Sequence, residues 1–327
     1  MFTKKQIWTF ISSAVLVALI VFLVIPYGIT NGTWGWPYNA KTGVIGDTIG
    51  GTVGPTVGFI GAILTFLAFY IQYQANELQR LELTKQEAAS IANERLSAVR
   101  QIEGTFFELL KLHKDNVKDM MLKDRTGIKV LVTILYQFYG ALRYVNKETG
   151  LNDLNLTERD RINIAYLITY FGVNVTSHNP LDKILIDCYP QASSQILAMV
   201  AKIRASTPEK SDNYGKRTLA GHQSRLSHYY RNLFMIVTFI HENEVLNNNE
   251  KKRYIKILRV QLSIQEQILF FFNSLSVLGQ SWELGENVLP INNLITRYQL
   301  IRNIPSIIED RINPKEYYPL LKLEQDF

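Results

Sequence analysis

The stretch Ile7–Tyr27, IWTFISSAVLVALIVFLVIPY, contains no charged residue. It reaches the ~20 apolar residues that cross a bilayer as one helix. A helix apolar on every side has no place on the surface of a soluble domain. Trp8 and Tyr27 stand at its ends, where amphipathic rings favour the membrane–water interface. Lys4 and Lys5 in front of it resemble the n-region of a secretion signal. The apolar run outlasts a signal core of ~7–15 residues, and no clean small-x-small cleavage site follows. The sequence therefore predicts an uncleaved anchor.

A second uncharged stretch, Val53–Tyr73, is also long enough to span. Its approach carries small residues four apart: Gly46, Gly50, Gly54, Gly58 and Ala62. On a helix these share one face and admit another backbone closely. The simplest partner is the first span or a second copy in a dimer; the sharper alternative is a homo-oligomer with the ladder lining a pore. Pro55 is expected in the first helical turn, where a missing N–H costs little. Lys4 and Lys5 precede the first span, Arg80 and Lys85 follow the second, and only Lys41 lies between. The positive-inside rule then places both termini in the cytoplasm. Residues 28–52, with Trp34, Trp36 and Tyr38, form the outer connection, and the lipid bilayer is the first partner.

The expected fold class is all-α: a two-helix transmembrane hairpin over residues 1–73, a helical stalk over 74–103 and a cytoplasmic helical domain over 104–327. Residues 74–100 have neither proline nor glycine and are rich in helix formers. Leu78, Lys85, Ala92 and Val99, with Leu81, Ala88 and Arg95 between them, make an imperfect heptad seam, either a weak coiled coil or a face packed on the domain. Gly104 is expected to mark a bend. Beyond it the pattern predicts helices over Phe106–Leu122, Gly127–Val145, Thr157–Val173 (opened by a capping box of Thr157 and Asp160), Gln191–Arg204, Leu219–Glu244, Glu250–Val277, Asn287–Arg302 and Pro314–Leu323. Ile184–Ile186 reads as strand-like, and Ser206–Gly215 as a linker.

Chemistry is sparsely marked. The sequence has no Gly-Lys-Ser/Thr phosphate loop, no G-x-S-x-G elbow and no H-E-x-x-H pair. One cysteine and five scattered histidines cannot compose a standard zinc set, so neither metal nor cofactor is expected. The net charge of +6 is spread along the chain, with no dense basic arm; nucleic acid is not indicated as a partner. Arg217 and His222, in RTLAGH, match the spacing of HEPN-type ribonucleases, but Leu219 occupies a position that is polar in such families. A second constellation joins His228 and Arg231 to Gln261, Glu266 and Asn273 on the following helical pattern. Facing each other, these side chains form either a buried hydrogen-bond network that fixes helix register or a pocket for a ligand or nucleic acid.

The same segments carry a resemblance. SHYYRNLF at 227–234, then LRVQLSIQEQILFFFNSLS at 258–276, is similar to the paired signature of the AbiC-type phage abortive infection family, with Val260 for an alanine and Phe272 for a tyrosine. IGDTIGGTVGP, LTFLAFYIQYQANELQ and FFELLKLHKDNV resemble the family's other blocks. The resemblance implies a defence effector anchored in the bacterial inner membrane that halts growth or kills the infected cell, triggered by a phage product or partner protein. The alternatives are a membrane-tethered HEPN-like ribonuclease and a non-enzymatic anchor or receptor that recruits a partner, and no settled activity comes with the resemblance.

Overall fold

The computed structural model describes residues 4–31, 42–174, 179–206, 219–283, 293–308 and 311–324. The chain divides into two compact units, Met1–Glu94 and Arg95–Phe327.

The first unit is helical in its described residues apart from a turn at Asn31. α1 covers Lys4–Thr30, and α2 opens at Thr42 and runs to Lys118. Trp8–Gly28 and the α2 stretch from Val53 are long and apolar enough to cross a membrane, with mean hydropathies of 2.7 and 1.8. Their large side chains are uncovered: Trp8, Phe59, Phe66 and Phe69 are each about 70% exposed. So much exposed apolar surface marks an interaction face. Because α2 starts at Thr42, Pro55 lies inside the helix and not in its first turn; it withholds the N–H that the Gly51 carbonyl would receive. Helix also continues through Gly104, where a bend was expected. Leu78, Leu81, Leu83 and Ile91 are exposed.

The second unit is a helical domain. Ile102, Phe106, Leu110 and His113 line the buried stripe of α2, spaced three or four apart as one helix face requires. α2 stops at Lys118, short of the expected Leu122. A tight antiparallel pair follows, β1 (Met121–Leu122) and β2 (Arg125–Thr126), with Lys123 at φ 53° in the turn. The remaining helices are α3 (Ile128–Lys147), α4 (Glu158–Phe171), α5 (Leu181–Cys188), α6 (Ser193–Ser206), α7 (Gln223–His241), α8 (Asn248–Gln261), α9 (Ile264–Leu275), α10 (Leu294–Tyr298) and α11 (Pro314–Tyr317).

α9 is the centre. Every residue from Glu266 to Leu275 is buried, so the run FFFNSL meets protein all round. Phe272 packs on Phe138 of α3 at 4.3 Å between ring centres, Phe271 on Tyr317 and Tyr318, and Phe270 on Trp282 at 4.6 Å.

Three expectations change here. The helix expected over Glu250–Val277 is two helices, because Ser263 caps α9 with Glu266 in a reciprocal capping box and Leu262–Ser263 are extended. Ile184–Ile186 is helical within α5, whose Leu181 and Leu185 turn one face into the core. Asn287–Arg302 and Pro314–Leu323 hold only the short α10 and α11 among the described residues. The Thr157–Asp160 capping box does open α4.

One backbone contact sets where α7 begins. Gly172 (φ +78°) ends α4 and Gly221 (φ +86°) precedes α7. A Cβ on Gly221 would lie 2.4 Å from the Phe171 carbonyl oxygen. On either side of this contact Val173 N–H donates to Leu219 O at 2.9 Å and His222 N–H to Tyr170 O at 2.8 Å. Only glycine lets the two backbones meet so closely.

Candidate functional site

The docking of α7 against α4 and α9 leaves a cleft of about 240 Å³. α7 contributes Ser227, Tyr230, Arg231 and Phe234, spaced as one helical face. α4 contributes Tyr170, α9 Asn273, and the 3₁₀ turn Val277–Trp282 contributes Ser281 and Trp282. Arg231 is exposed and stands at the mouth, whereas Tyr230, Asn273 and Trp282 are buried. Asn273 and Trp282 are each about 2% exposed.

Below the cleft runs a buried polar network. Asn273 Nδ2 donates to the Tyr166 hydroxyl at 3.0 Å, and Tyr230 donates to the Leu269 carbonyl at 3.0 Å. Tyr166 and Tyr230 pair through their hydroxyls. Tyr229 donates to Glu266 Oε1 at 3.2 Å, while Glu266 Oε2 accepts the Ser263 N–H at 2.8 Å. Burial, the largest cause, raises the phenol pKa of Tyr166, Tyr229 and Tyr230 far above the ordinary value, so all three remain neutral donors. Tyr170 is also raised by burial; a hydrogen bond with Ser227 and the nearby Arg231 charge pull the other way. Three buried side chains hold polar atoms left unsatisfied among the described protein atoms: Asn273 through Oδ1, His222 through Nδ1 and His113 through both ring nitrogens. His113 lies 4.9 Å from the Tyr229 ring, and burial lowers its pKa to about 4.

The structure thus brings Arg231 and Asn273 together on one cleft and sets Glu266 in the network beneath it. His228 and Gln261 are exposed and do not line the cleft. His222 is only 2% exposed; its Nε2 bonds Gln137 Oε1 at 2.6 Å, and burial first, then Arg225, lowers its pKa to about 4. A ring enclosed in this way has no open side for a phosphate. Arg217 lies outside the described residues. Among the described residues, nothing approaches within 4 Å of a Cβ position at Gly46, Gly50, Gly54 or Gly58, and Ala62 is exposed. No group of three or more potential metal ligands occurs among the described residues.

Sequence reasoning missed Tyr170, Ser227, Tyr230 and Trp282 as site residues. The spacing of 227, 230, 231 and 234 offered the α7 members. Nothing local offered Tyr170, which reaches the cleft through the Gly172–Gly221 contact.

The family described as "Putative phage abortive infection protein" matches residues 221–307 of this chain. That segment holds every cleft residue except Tyr170. No curated protein and no solved structure matches the chain.

Proposed function

We propose that this protein is a membrane-anchored effector of abortive infection. α1 and the apolar part of α2 span the bacterial inner membrane, with both termini in the cytoplasm. The helical domain senses a product of infection at the Tyr170–Trp282 cleft, and the spans respond by breaching the permeability barrier.

One observation carries the reading. A segment matching an abortive infection family lines a cleft in a chain whose helix α2 has uncovered apolar residues near one end and core residues Ile102, Phe106 and Leu110 near the other. The uncovered side chains demand an apolar solvent. The open ladder at Gly46, Gly50, Gly54 and Gly58 suits close approach by a second copy, and exposed Leu78, Leu81 and Ile91 offer a seam for that same copy. In this reading oligomerised spans are the output.

The test is a phage challenge of bacteria producing the full chain, with membrane flotation of the same cultures. Expected are a chain that floats with inner-membrane vesicles and resists alkaline carbonate extraction, and infected cells that die without releasing progeny. A chain that remains in the soluble fraction, or a culture yielding as many phage as cells lacking the protein, overturns the reading.

A further inference from the structure

A second cavity, of about 600 Å³, is lined from α4, α9, α10 and α11. It falls within the ~300–1,000 Å³ of small-molecule sites, and no residue lines both it and the Tyr170–Trp282 cleft. Two guanidiniums border it, Arg159 of α4 and Arg297 of α10. Arg159 gives Nε to the Leu275 carbonyl at 3.3 Å, and Arg297 gives Nη2 to Asn248 Oδ1 at 3.4 Å. Neither has a carboxylate partner among the described residues. A guanidinium carries five N–H donors, so most of theirs stay available to an anion. The lining holds one carboxylate, Glu283, whose Oε1 accepts the Ile295 and Thr296 N–H groups at 3.0 and 3.2 Å. Two cations against one committed carboxylate leave the cavity net positive. Tyr317, Pro319 and Leu320 add apolar wall, and the buried Tyr318 hydroxyl donates to Ser274 Oγ at 2.8 Å. Burial is the largest cause raising the phenol pKa of Tyr317 and Tyr318, and the Arg159 charge beside both opposes it.

The segment that carries Arg297 is held under strain. Asn293 (φ 49°) and Gln299 (φ 53°) bracket α10 in the left-handed region, which is costly for a residue other than glycine. Gln299 is pinned there: its side chain bonds Thr296 O, Leu320 O and the Lys322 N–H, and its carbonyl accepts Arg259 Nη1 at 2.8 Å. Strain fixed so firmly clusters at ligand clamps.

We propose that this cavity binds a small organic anion, its carboxylate or phosphate held between Arg159 and Arg297 and its apolar part against Tyr317 and Leu320. Both head groups present the paired oxygens that match a guanidinium fork. The ligand is independent of what the Tyr170–Trp282 cleft senses.

The test is calorimetric titration of the full-length protein in detergent with phenyl phosphate, phenylacetate, inorganic phosphate and benzyl alcohol. Expected is saturable binding of phenyl phosphate or phenylacetate, the tighter of the two identifying the head group, with inorganic phosphate much weaker and benzyl alcohol unbound. Arg159→Gln and Arg297→Gln each weaken that binding about tenfold or more, the scale of one charge-assisted hydrogen bond. Both arginines are exposed, so the variants fold. Glu283→Gln keeps an oxygen for the α10 N–H groups and removes the opposing charge, so it tightens binding severalfold. A merely structural role for these side chains would not give opposite signs. Binding of neither organic anion overturns the proposal. So does binding that is unchanged in both arginine variants, or inorganic phosphate or benzyl alcohol binding as tightly as the organic anions.

Discussion

Acidification acts on two histidines held uncharged by the fold. His113 and His222 have pKa values lowered from an ordinary 6.5 to about 4, with burial the largest cause for each. Above pH 6.5 neither state is protonated and nothing is lost. Below it the unfolded chain takes up protons that the native state refuses, so stability falls with pH until about 4, where the native rings charge as well. At 1.36 kcal/mol per pKa unit, each histidine withdraws on the order of 3 kcal/mol over that window. Two such losses are large beside a typical domain stability of about 5–15 kcal/mol. His241, lowered chiefly by burial, acts in the same direction. Urea unfolding of the full-length protein in detergent at pH 7.0, 6.0, 5.0 and 4.5, followed by near-ultraviolet circular dichroism, measures the slope. His113→Leu separates the cause. It removes two unpartnered ring nitrogens, so it raises stability at pH 7 by about 1–3 kcal/mol and roughly halves the acid loss. Wild-type stability that stays flat from pH 7.0 to 4.5, or a variant with the wild-type slope, refutes this reasoning.

Two further substitutions probe the architecture. Gly221→Ala sets a Cβ 2.4 Å from the Phe171 carbonyl oxygen at φ +86°; the helical domain loses upwards of about 3 kcal/mol, read by thermal melting. Ser263→Ala removes the side-chain half of the α9 capping box and costs about 1 kcal/mol, seen as a lower urea midpoint at unchanged m-value.

Much of the fold could be read where the signal was local. The uncharged run Ile7–Tyr27 could form little but an apolar helix, and Thr157 with Asp160 marked the start of α4 because a capping box satisfies two backbone donors at one spot. Ser263 and Glu266 gave the same signal and should have divided Glu250–Val277; the apolar periodicity on either side of them hid it. Ile184–Ile186 was misread because a short β-favouring run counts for less than two leucines placed four apart against a core. Pro55 falls in a first turn only if the helix opens where the apolar span does, at Val53, where a missing N–H costs little; α2 opens at Thr42. Within the site, Arg231 and Asn273 stood out as polar residues on apolar helices. Their shared cleft depends on Tyr170 and on the meeting of Gly172 with Gly221, a long-range contact that no periodicity encodes. His228, equally conspicuous in the sequence, faces solvent because α7 turns Tyr229 and Tyr230 inward beside it.

Membrane breach during infection is the step on which the proposed function turns. Time-resolved uptake of a membrane-impermeant DNA dye by infected cells tests it most directly, comparing wild type with the double variant Gly54→Leu, Gly58→Leu. Leucine fills the open ladder face without charging the span. Dye entering wild-type cells before phage lysis, and failing to enter cells with the variant, is the expected result. Growth arrest at full strength with dye excluded from both strains contradicts it.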